Sequence, residues 1–429
     1  IEYLQLEEQL FRQLDEEVYR QIEPNERSRL NRYNQDSLAD PTGRDPDWNR
    51  SFEWAPGRPQ AAILLLHGMS DSPYSLRHIG QQLHARGAHV LGLRIPGHGT
   101  APSGLVRVTR RDMAAAVRLA VRHLAQQAPG QPIHLVGYSN GAALAVNYVL
   151  SSIENPDLPA VKRVVLLSPE IGISGAAAYA VWQARIGVLL GLDKLAWNSI
   201  KPEYDPYKYG SFAVNAGDVA HRLTRRIQVQ LTELAEDGRL GQVPPILAFT
   251  SLVDATVRAP ALVENLFARL PDGGHELVLF DINAMEGMES ILQWSPDAWY
   301  AALADDGDRT FSLDLLTNEH TGSRRVRLVR LEAGEDRQAI SQLDLEWPQD
   351  VFSLSHVALP FPPDDPLYGN LERGAEPALR LGSLALRGER GVLNISGDDM
   401  LRLRWNPFYS FMEERILSFL QLQQEPEQR

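Results

Sequence analysis

A doubly wound, mostly parallel α/β sheet, with a helical cap insertion and an extra β-hairpin insertion, is the fold that this sequence predicts, and three observations predict it. The run Ala61-Ala62-Ile63-Leu64-Leu65-Leu66 is apolar without alternation, as a strand buried on both faces requires. Strand-like and helix-like segments then take turns along the chain, the pattern of βαβ units. The strand Ile133 to Val136 then runs through Gly137-Tyr138-Ser139-Asn140-Gly141 into a helix of small residues, a strand-turn-helix unit.

The elements follow in chain order. Tyr3, Leu6, Leu10, Leu14, Val18 and Ile22 recur every three or four residues and make one apolar stripe of an amphipathic helix that packs on the body. A peripheral membrane contact is the sharper alternative, although the polar face is acidic where such helices are usually basic. Pro24 to Pro56 is polar and rich in turn residues, so it reads as a connecting arm over the surface. Tyr74 to Arg86 reads as a helix, His89 to Leu93 as a strand, Arg110 to Gln127 as a helix and Ile133 to Val136 as a strand. Gly141 to Ile153 is a helix of small residues, and Val161 to Leu167 and Pro245 to Thr250 add strands.

Two stretches interrupt the alternation. Gly175 to Gly241 holds no good strand but carries Trp182, Ile186, Leu189, Leu190, Leu195 and Trp197, which reads as a helical cap with an apolar side. Further on, Thr310 to Leu316 and Arg325 to Leu331 flank Asn318-Glu319-His320-Thr321-Gly322, the pattern of a hairpin with a long loop. Asn406 to Leu422 forms a final amphipathic helix. The expected organisation is therefore an N-terminal helix and arm (1–54), a first core part (55–173), a cap (174–243), a second core part (244–283), the hairpin insertion (284–350) and a C-terminal core part (351–429).

Composition narrows the function. The 429 residues include 42 Lys and Arg against 55 Asp and Glu, and the net charge of −13 repels phosphate backbones, so no nucleic acid partner is expected. There is no cysteine, which excludes disulfides, thiolate metal sites and cysteine nucleophiles. Apolar stretches at Ala61–Leu66 and Ala176–Leu192 are short or broken by Gln183 and Arg185, and neither spans a bilayer. The chain opens at Ile1, the expectation for a trimmed product. Compartment stays open between periplasmic, secreted and membrane-anchored through a segment absent from this chain. Asn49-Arg50-Ser51 and Asn394-Ile395-Ser396 fit a glycosylation triplet that is too common to decide the matter.

No metal and no cofactor is expected. His-Glu-x-x-His is missing, the paired acids Asp305-Asp306, Asp364-Asp365 and Asp398-Asp399 lack calcium-loop spacing, and neither common Gly-rich phosphate cradle occurs.

The chemistry is concentrated in Gly137-Tyr138-Ser139-Asn140-Gly141, between a strand and a helix. A turn this tight strains its central residue, and glycines two positions to either side let neighbouring backbone pass. Ser139 is then a nucleophile, and a serine hydroxyl needs a histidine to take its proton and a carboxylate to orient that histidine. Asp254 lies in the loop Ser251-Leu252-Val253-Asp254-Ala255-Thr256-Val257 after a buried strand, well placed for the acid, with a turn aspartate as the plain alternative.

His67-Gly68 after a strand, Arg94-Ile95-Pro96-Gly97-His98-Gly99 in the next loop, the Ser139 motif and Asp254 together resemble α/β-hydrolases of the monoacylglycerol lipase, carboxylesterase and serine-aminopeptidase-like group. The resemblance covers roughly Ser51 to Asp281, about half the chain. It implies an oxyanion hole made by the backbone N–H groups of Met69 and Asn140. Two departures stand out. Relatives often carry Asp where Arg94 stands, and they place the catalytic histidine just beyond the strand matching Glu276 to Phe280, where none follows here.

Of the eleven histidines, His67 and His98 brace loops, and His78, His84, His89, His123 and His134 precede Ser139. His221 lies in the cap and His275 at the wrong end of its strand. His320 and His356 remain, and His356 is preferred because it follows an apolar run and precedes the loop Leu359 to Asp365, whereas His320 sits in a hairpin loop.

The expected activity is hydrolysis of a carboxylic ester, on a small-molecule or lipid-like substrate, through Ser139, His356 and Asp254 and an acyl-enzyme. A peptidase or amidase with the same triad is the second reading. A non-catalytic binding protein is the third, favoured only by the displaced histidine. Oligomeric state is not legible.

Overall fold

The computed structural model describes residues 2–23, 27–28, 30–172, 196–284, 296–371, 379–382 and 397–422. Its centre is a ten-stranded sheet. The strands are β1 (Phe52–Trp54), β2 (Ala61–Leu66), β3 (Ala88–Leu93), β4 (Ile133–Tyr138) and β5 (Arg163–Leu167), with a separate pair β6 (Trp197–Ser199) and β7 (Phe212–Ala213). They continue as β8 (Ile246–Ser251), β9 (Glu276–Phe280), β10 (Ser312–Asn318), β11 (Arg325–Leu331) and β12 (Ala339–Glu346). In space the order is β1-β3-β2-β4-β5-β8-β9-β10-β11-β12, parallel from β3 to β10 and antiparallel at both edges.

Strand β2 shows why the apolar run folds as it does. All six residues are buried; Ala62, Leu64 and Leu66 enter the core on one face, and Ala61, Ile63 and Leu65 enter the core on the other. The helices are α1 (Glu2–Glu17), α2 (Arg77–Ala85), α3 (Gly104–Arg107), α4 (Arg110–Gln127), α5 (Asn140–Glu154), α6 (Val214–Glu236), α7 (Ala259–Asn265), α8 (Pro296–Ala304), α9 (Gly397–Leu401) and α10 (Tyr409–Leu420). Helices α4, α5 and α6 cover the first face, and α2 and α10 the second.

The hairpin expected at 310–331 forms as β10 and β11, but it is no separate appendage. Strand β10 pairs in parallel with β9 and extends the sheet, and β11 and β12 add two antiparallel strands. Strand β12 went unread because a register shift breaks its alternation and most of it is exposed. Gly175 to Gly241 does contain strand, the short pair β6 and β7. Helix α6, from the same segment, packs on α5, with the Asn147 Nδ2 donating to Gln230 Oε1 at 2.6 Å. Cap residues Trp182, Ile186, Leu189, Leu190 and Leu195 lie outside the described residues.

Two expectations for the N-terminal region are corrected. The inward side of α1 runs through the buried Glu7, Phe11 and Leu14 and the half-buried Tyr3 and Leu10, continued by Val18 just past its end, and Leu6 is 65% exposed. Periodicity missed this because the stripe contains a charged residue, Glu7, which pairs with Arg94 at 2.6 Å. The arm is also more than a surface connector: Arg32, Tyr33, Ala39, Asp40 and Asn49 are buried. Asn49 Nδ2 donates to Pro206 O at 3.0 Å, so the Asn49 triplet is committed to packing.

Candidate active site

The chain crosses from β2 out to β3 and then returns to lay β4 on the other side of β2, which opens a crevice at the carboxyl ends of β2 and β4. Ser139 follows β4 there, with φ 55° and ψ −118°, a conformation that is costly for a residue bearing a side chain. The flanking glycines are sterically required. A Cβ on Gly137 would lie 2.5 Å from the Ala142 Cα, and one on Gly141 would lie 2.1 Å from the Leu66 carbonyl oxygen. The turn is held by Ser139 N–H donating to Leu167 O at 2.9 Å and by Ser139 O accepting from Glu170 N–H at 3.1 Å.

His356 begins a short 3-10 turn, His356–Ala358, and is brought to Ser139 from far along the chain. Its Nε2 lies 3.0 Å from Ser139 Oγ, and its Nδ1 lies 2.9 Å from Asp254 Oδ2. An ionised carboxylate only accepts, so Nδ1 carries the proton and Nε2 is left to accept from the serine hydroxyl. The second oxygen of Asp254 accepts from Thr256 N–H at 2.8 Å and Val257 N–H at 2.9 Å. Burial acts to raise the Asp254 pKa, but the hydrogen bond and charge of His356, with those two N–H donors, outweigh it and hold the carboxyl below its ordinary value. Tyr138 packs beside the imidazole, with ring centroids 5.5 Å apart.

Met69 follows β2 and Asn140 opens α5, where the first N–H groups of a helix have no intrahelical acceptor. Gly68 allows the close approach of the two loops: a Cβ there would lie 3.2 Å from Ser139 Cβ.

The remaining histidines stay apart from this cluster. His67 Nδ1–H donates to Gly68 O at 2.9 Å while its Nε2 accepts from Ile95 N–H at 3.0 Å, a brace between two loops. Burial pushes His67 well below its ordinary pKa and His98 down to about 4, so both are neutral supports. His275 accepts from Ile246 N–H at 3.2 Å at the far end of the sheet, and His320 is exposed in its loop.

Sequence reasoning missed Glu170. Its backbone touches Ser139, one carboxyl oxygen is buried with no hydrogen-bond partner among the described residues, and burial raises its pKa to about 7. A Ser-Pro-Glu after a strand carries no pattern that marks it. Arg94, which departs from the pattern the resemblance implies, is held by Glu7, with its Nη1 donating to His98 O at 3.1 Å.

Residues 57–270 match the family model described as serine aminopeptidase, S33. Among solved structures, the chain is similar to one of the metagenome-derived lipolytic enzymes LipS and LipT, at 19% identity over 55% of this chain and 88% of that one, TM-score 0.41. It is similar to the monoacylglycerol lipase of Paleococcus ferrophilus at 17% identity over 54% and 88%, TM-score 0.40. A soluble variant of the monoglyceride lipase of Saccharomyces cerevisiae matches at 16% identity over 54% and 82%, TM-score 0.40.

Proposed function

We propose that this chain, an α/β-hydrolase by its sheet and its family match, cleaves carboxylic esters with Ser139 as nucleophile. The observation that carries the reading is the single chain of hydrogen bonds from Ser139 Oγ through both nitrogens of His356 to Asp254. Ser139 Oγ attacks the ester carbonyl as His356 Nε2 takes its proton, and Asp254 stabilises the imidazolium that forms. The N–H groups of Met69 and Asn140 receive the oxyanion; donors of this kind contribute about 3 kcal/mol each where measured. The intermediate collapses with His356 protonating the departing alcohol. Water then attacks the acyl-serine, His356 again taking a proton, and the acid leaves. These steps are carried by side chains and backbone alone.

The substrate class is a small or lipid-like ester. The description of the matched family as serine aminopeptidase favours a second reading, amide or peptide cleavage by the same residues, in which His356 must protonate an amine instead of an alcohol.

The test is hydrolysis of p-nitrophenyl esters from short to long acyl chains by wild type and Ser139→Ala side by side. Loss of about 10⁴-fold or more in the variant, with its fold intact by circular dichroism, is the expected result. Turnover equal to wild type would remove Ser139 from the mechanism. His356→Ala should lose activity and His320→Ala should keep it.

A further inference from the structure

Helices α4 and α6 both start from the edge of the sheet that carries Ser139. Strand β3 ends at that edge, and α4 runs back from it towards the start of β4. Asn215, in the first turn of α6, ties the two helices together by donating from Nδ2 to Leu105 O and Val108 O, both at 2.8 Å. Between them lies a groove of about 660 Å³ whose lining includes Arg110, Arg111, Arg222, Arg225 and Arg226, with Asp218 its one acid among the described residues. In a chain of net charge −13 such a concentration of guanidinium groups runs against the overall field.

Only part of this charge is matched. Arg222 Nε pairs with Asp218 at 2.8 Å, and Arg226 Nη2 pairs with Glu154 at 2.9 Å. Arg110, Arg111 and Arg225 form no hydrogen bond or ion pair among the described residues. Arg110 and Arg111 also open α4, where the helix dipole disfavours cations. Thr109 and Asp112 already cap that end, with Asp112 N–H donating to Thr109 Oγ1 at 3.2 Å, so the arginines contribute nothing to the helix. Burial lowers the Arg110 pKa, and repulsion from Arg226, Arg111 and Arg118 lowers it further. Cations crowded in this way lose their mutual repulsion when anionic oxygens lie across them.

The form of the surface selects the anion. Arg222, Arg225 and Val229 recur at spacings of three and four on α6, and Arg111, Arg222, Arg225 and Val229 are all exposed. An aliphatic side chain among arginines suits the boundary of a bilayer, where guanidinium groups meet headgroup phosphates and the aliphatic group meets the acyl region. A nucleic acid backbone has no apolar layer to receive Val229.

We propose that the arginine face of α4 and α6 docks this chain on an anionic lipid bilayer. Arg110, Arg111, Arg222 and Arg225 lie against headgroup phosphates, and Val229 enters the interface. Membrane contact is made by this face and not by the acid-rich α1. The inference stands apart from the esterase reading and adds the surface at which a lipid-like ester is met, at the edge of the sheet that carries Ser139.

The experiment is co-sedimentation of the full chain with vesicles of phosphatidylcholine alone or with about a third phosphatidylserine. Wild type should bind the anionic vesicles at least about tenfold more tightly, and the difference should fade in about 0.5 M salt. Arg110→Gln, Arg111→Gln and Arg225→Gln together remove no ion pair, so the fold should be kept by circular dichroism. Binding should weaken by about 10²-fold in this variant, from about fivefold per arginine. The same three positions changed to Lys keep the charge and should bind within about threefold of wild type. No preference for anionic vesicles in wild type, or one that survives the glutamine variant, overturns the proposal. A lysine variant as weak as the glutamine one overturns it too, because charge would then not be what binds. Heparin bound by wild type where anionic vesicles are not would assign the face to a soluble polyanion and likewise overturn it. Hydrolysis of a soluble p-nitrophenyl ester by wild type and Ser139→Ala needs no vesicle and tests the esterase reading separately.

Discussion

Asn283 Nδ2 donates to Val351 O at 2.8 Å, and the Asn283 backbone N–H donates to Phe352 O at 2.8 Å. Asn283 stands just past the end of β9, where the resemblance to α/β-hydrolases leads to the expectation of a histidine. Here the chain leaves for β10, β11 and β12, and Asn283 clasps it on its return, so that His356 reaches Ser139 from the segment pinned beside β9. The clasp is itself held, because Asn318 at the end of β10 donates from Nδ2 to Asn283 Oδ1 at 2.9 Å.

Asn283→Ala is therefore expected to lower kcat more than it raises KM. Asn283 is a positioning residue, and a displacement of about 1 Å at a reacting group can cost about 10²-fold. Removing its amide also takes a donor from the half-buried Val351 carbonyl, at about 1 kcal/mol of stability. Steady-state kinetics and urea unfolding of the same variant check both. A variant that loses stability but keeps kcat would make the clasp structural only.

Glu7 and Arg94 join α1 to the loop after β3 through an ion pair at 2.6 Å whose side chains are 4% and 6% exposed. Truncating one partner of a buried pair strands the other charge, typically at about 3–5 kcal/mol. Glu7→Ala should lose stability of that order, and Glu7→Met with Arg94→Met together should recover much of it. Urea midpoints of the three variants decide it. A double variant as unstable as the single one would mean that the pair does more than neutralise Arg94.

What could be read from the chain was whatever repeats or is locally constrained. Strand β2 announced itself because both faces are buried, and Ser139 because its turn admits only glycine at two neighbouring positions. Long-range polar contacts leave no such trace: nothing about Glu7 in isolation says that it meets Arg94, and nothing about Asn283 says that it catches Val351. The same holds for Arg111 and Arg225, which only the fold brings to one groove. Leu6 was misplaced because hydrophobic spacing cannot see a buried carboxylate. Short β1 and β12 escaped because three residues, or eight mostly exposed ones, are too few or too polar to show a period.

Glu170 should make the protein less stable as pH rises. Its folded pKa is raised from 4.5 to about 7 by burial, so the folded state keeps a proton that the unfolded chain has released. This group favours folding most below pH 4.5, and the advantage is lost as pH rises through about 7. At about 1.4 kcal/mol per unit the difference is on the order of 3 kcal/mol. Glu170→Gln is expected to be more stable than wild type at pH 8, with the gap closing below pH 4.5. Urea unfolding at the two pH values measures it, and equal midpoints at pH 8 would show that the carboxylate finds solvent or a partner when ionised.

Asp254 has the opposite sign. Its folded pKa is held below the ordinary 3.8, so its contribution to stability is present above that value and is lost as pH falls through the folded pKa. Asp254→Asn removes this acid-side loss and leaves the shape of the site nearly unchanged. The amide at position 254 can donate to Nδ1, and the imidazole then adopts the tautomer with its proton on Nε2, facing Ser139 Oγ with a donor where an acceptor is needed. By analogy with the corresponding substitution in serine proteases, kcat for ester hydrolysis should fall about 10⁴-fold at pH 7. Hydroxide can deprotonate the serine without a base, so part of the rate should return above pH 9. Kinetics of wild type and Asp254→Asn from pH 5 to 10 test this. A variant with wild-type kcat throughout would show that Asp254 caps its own loop through Thr256 and Val257 and does not act on His356.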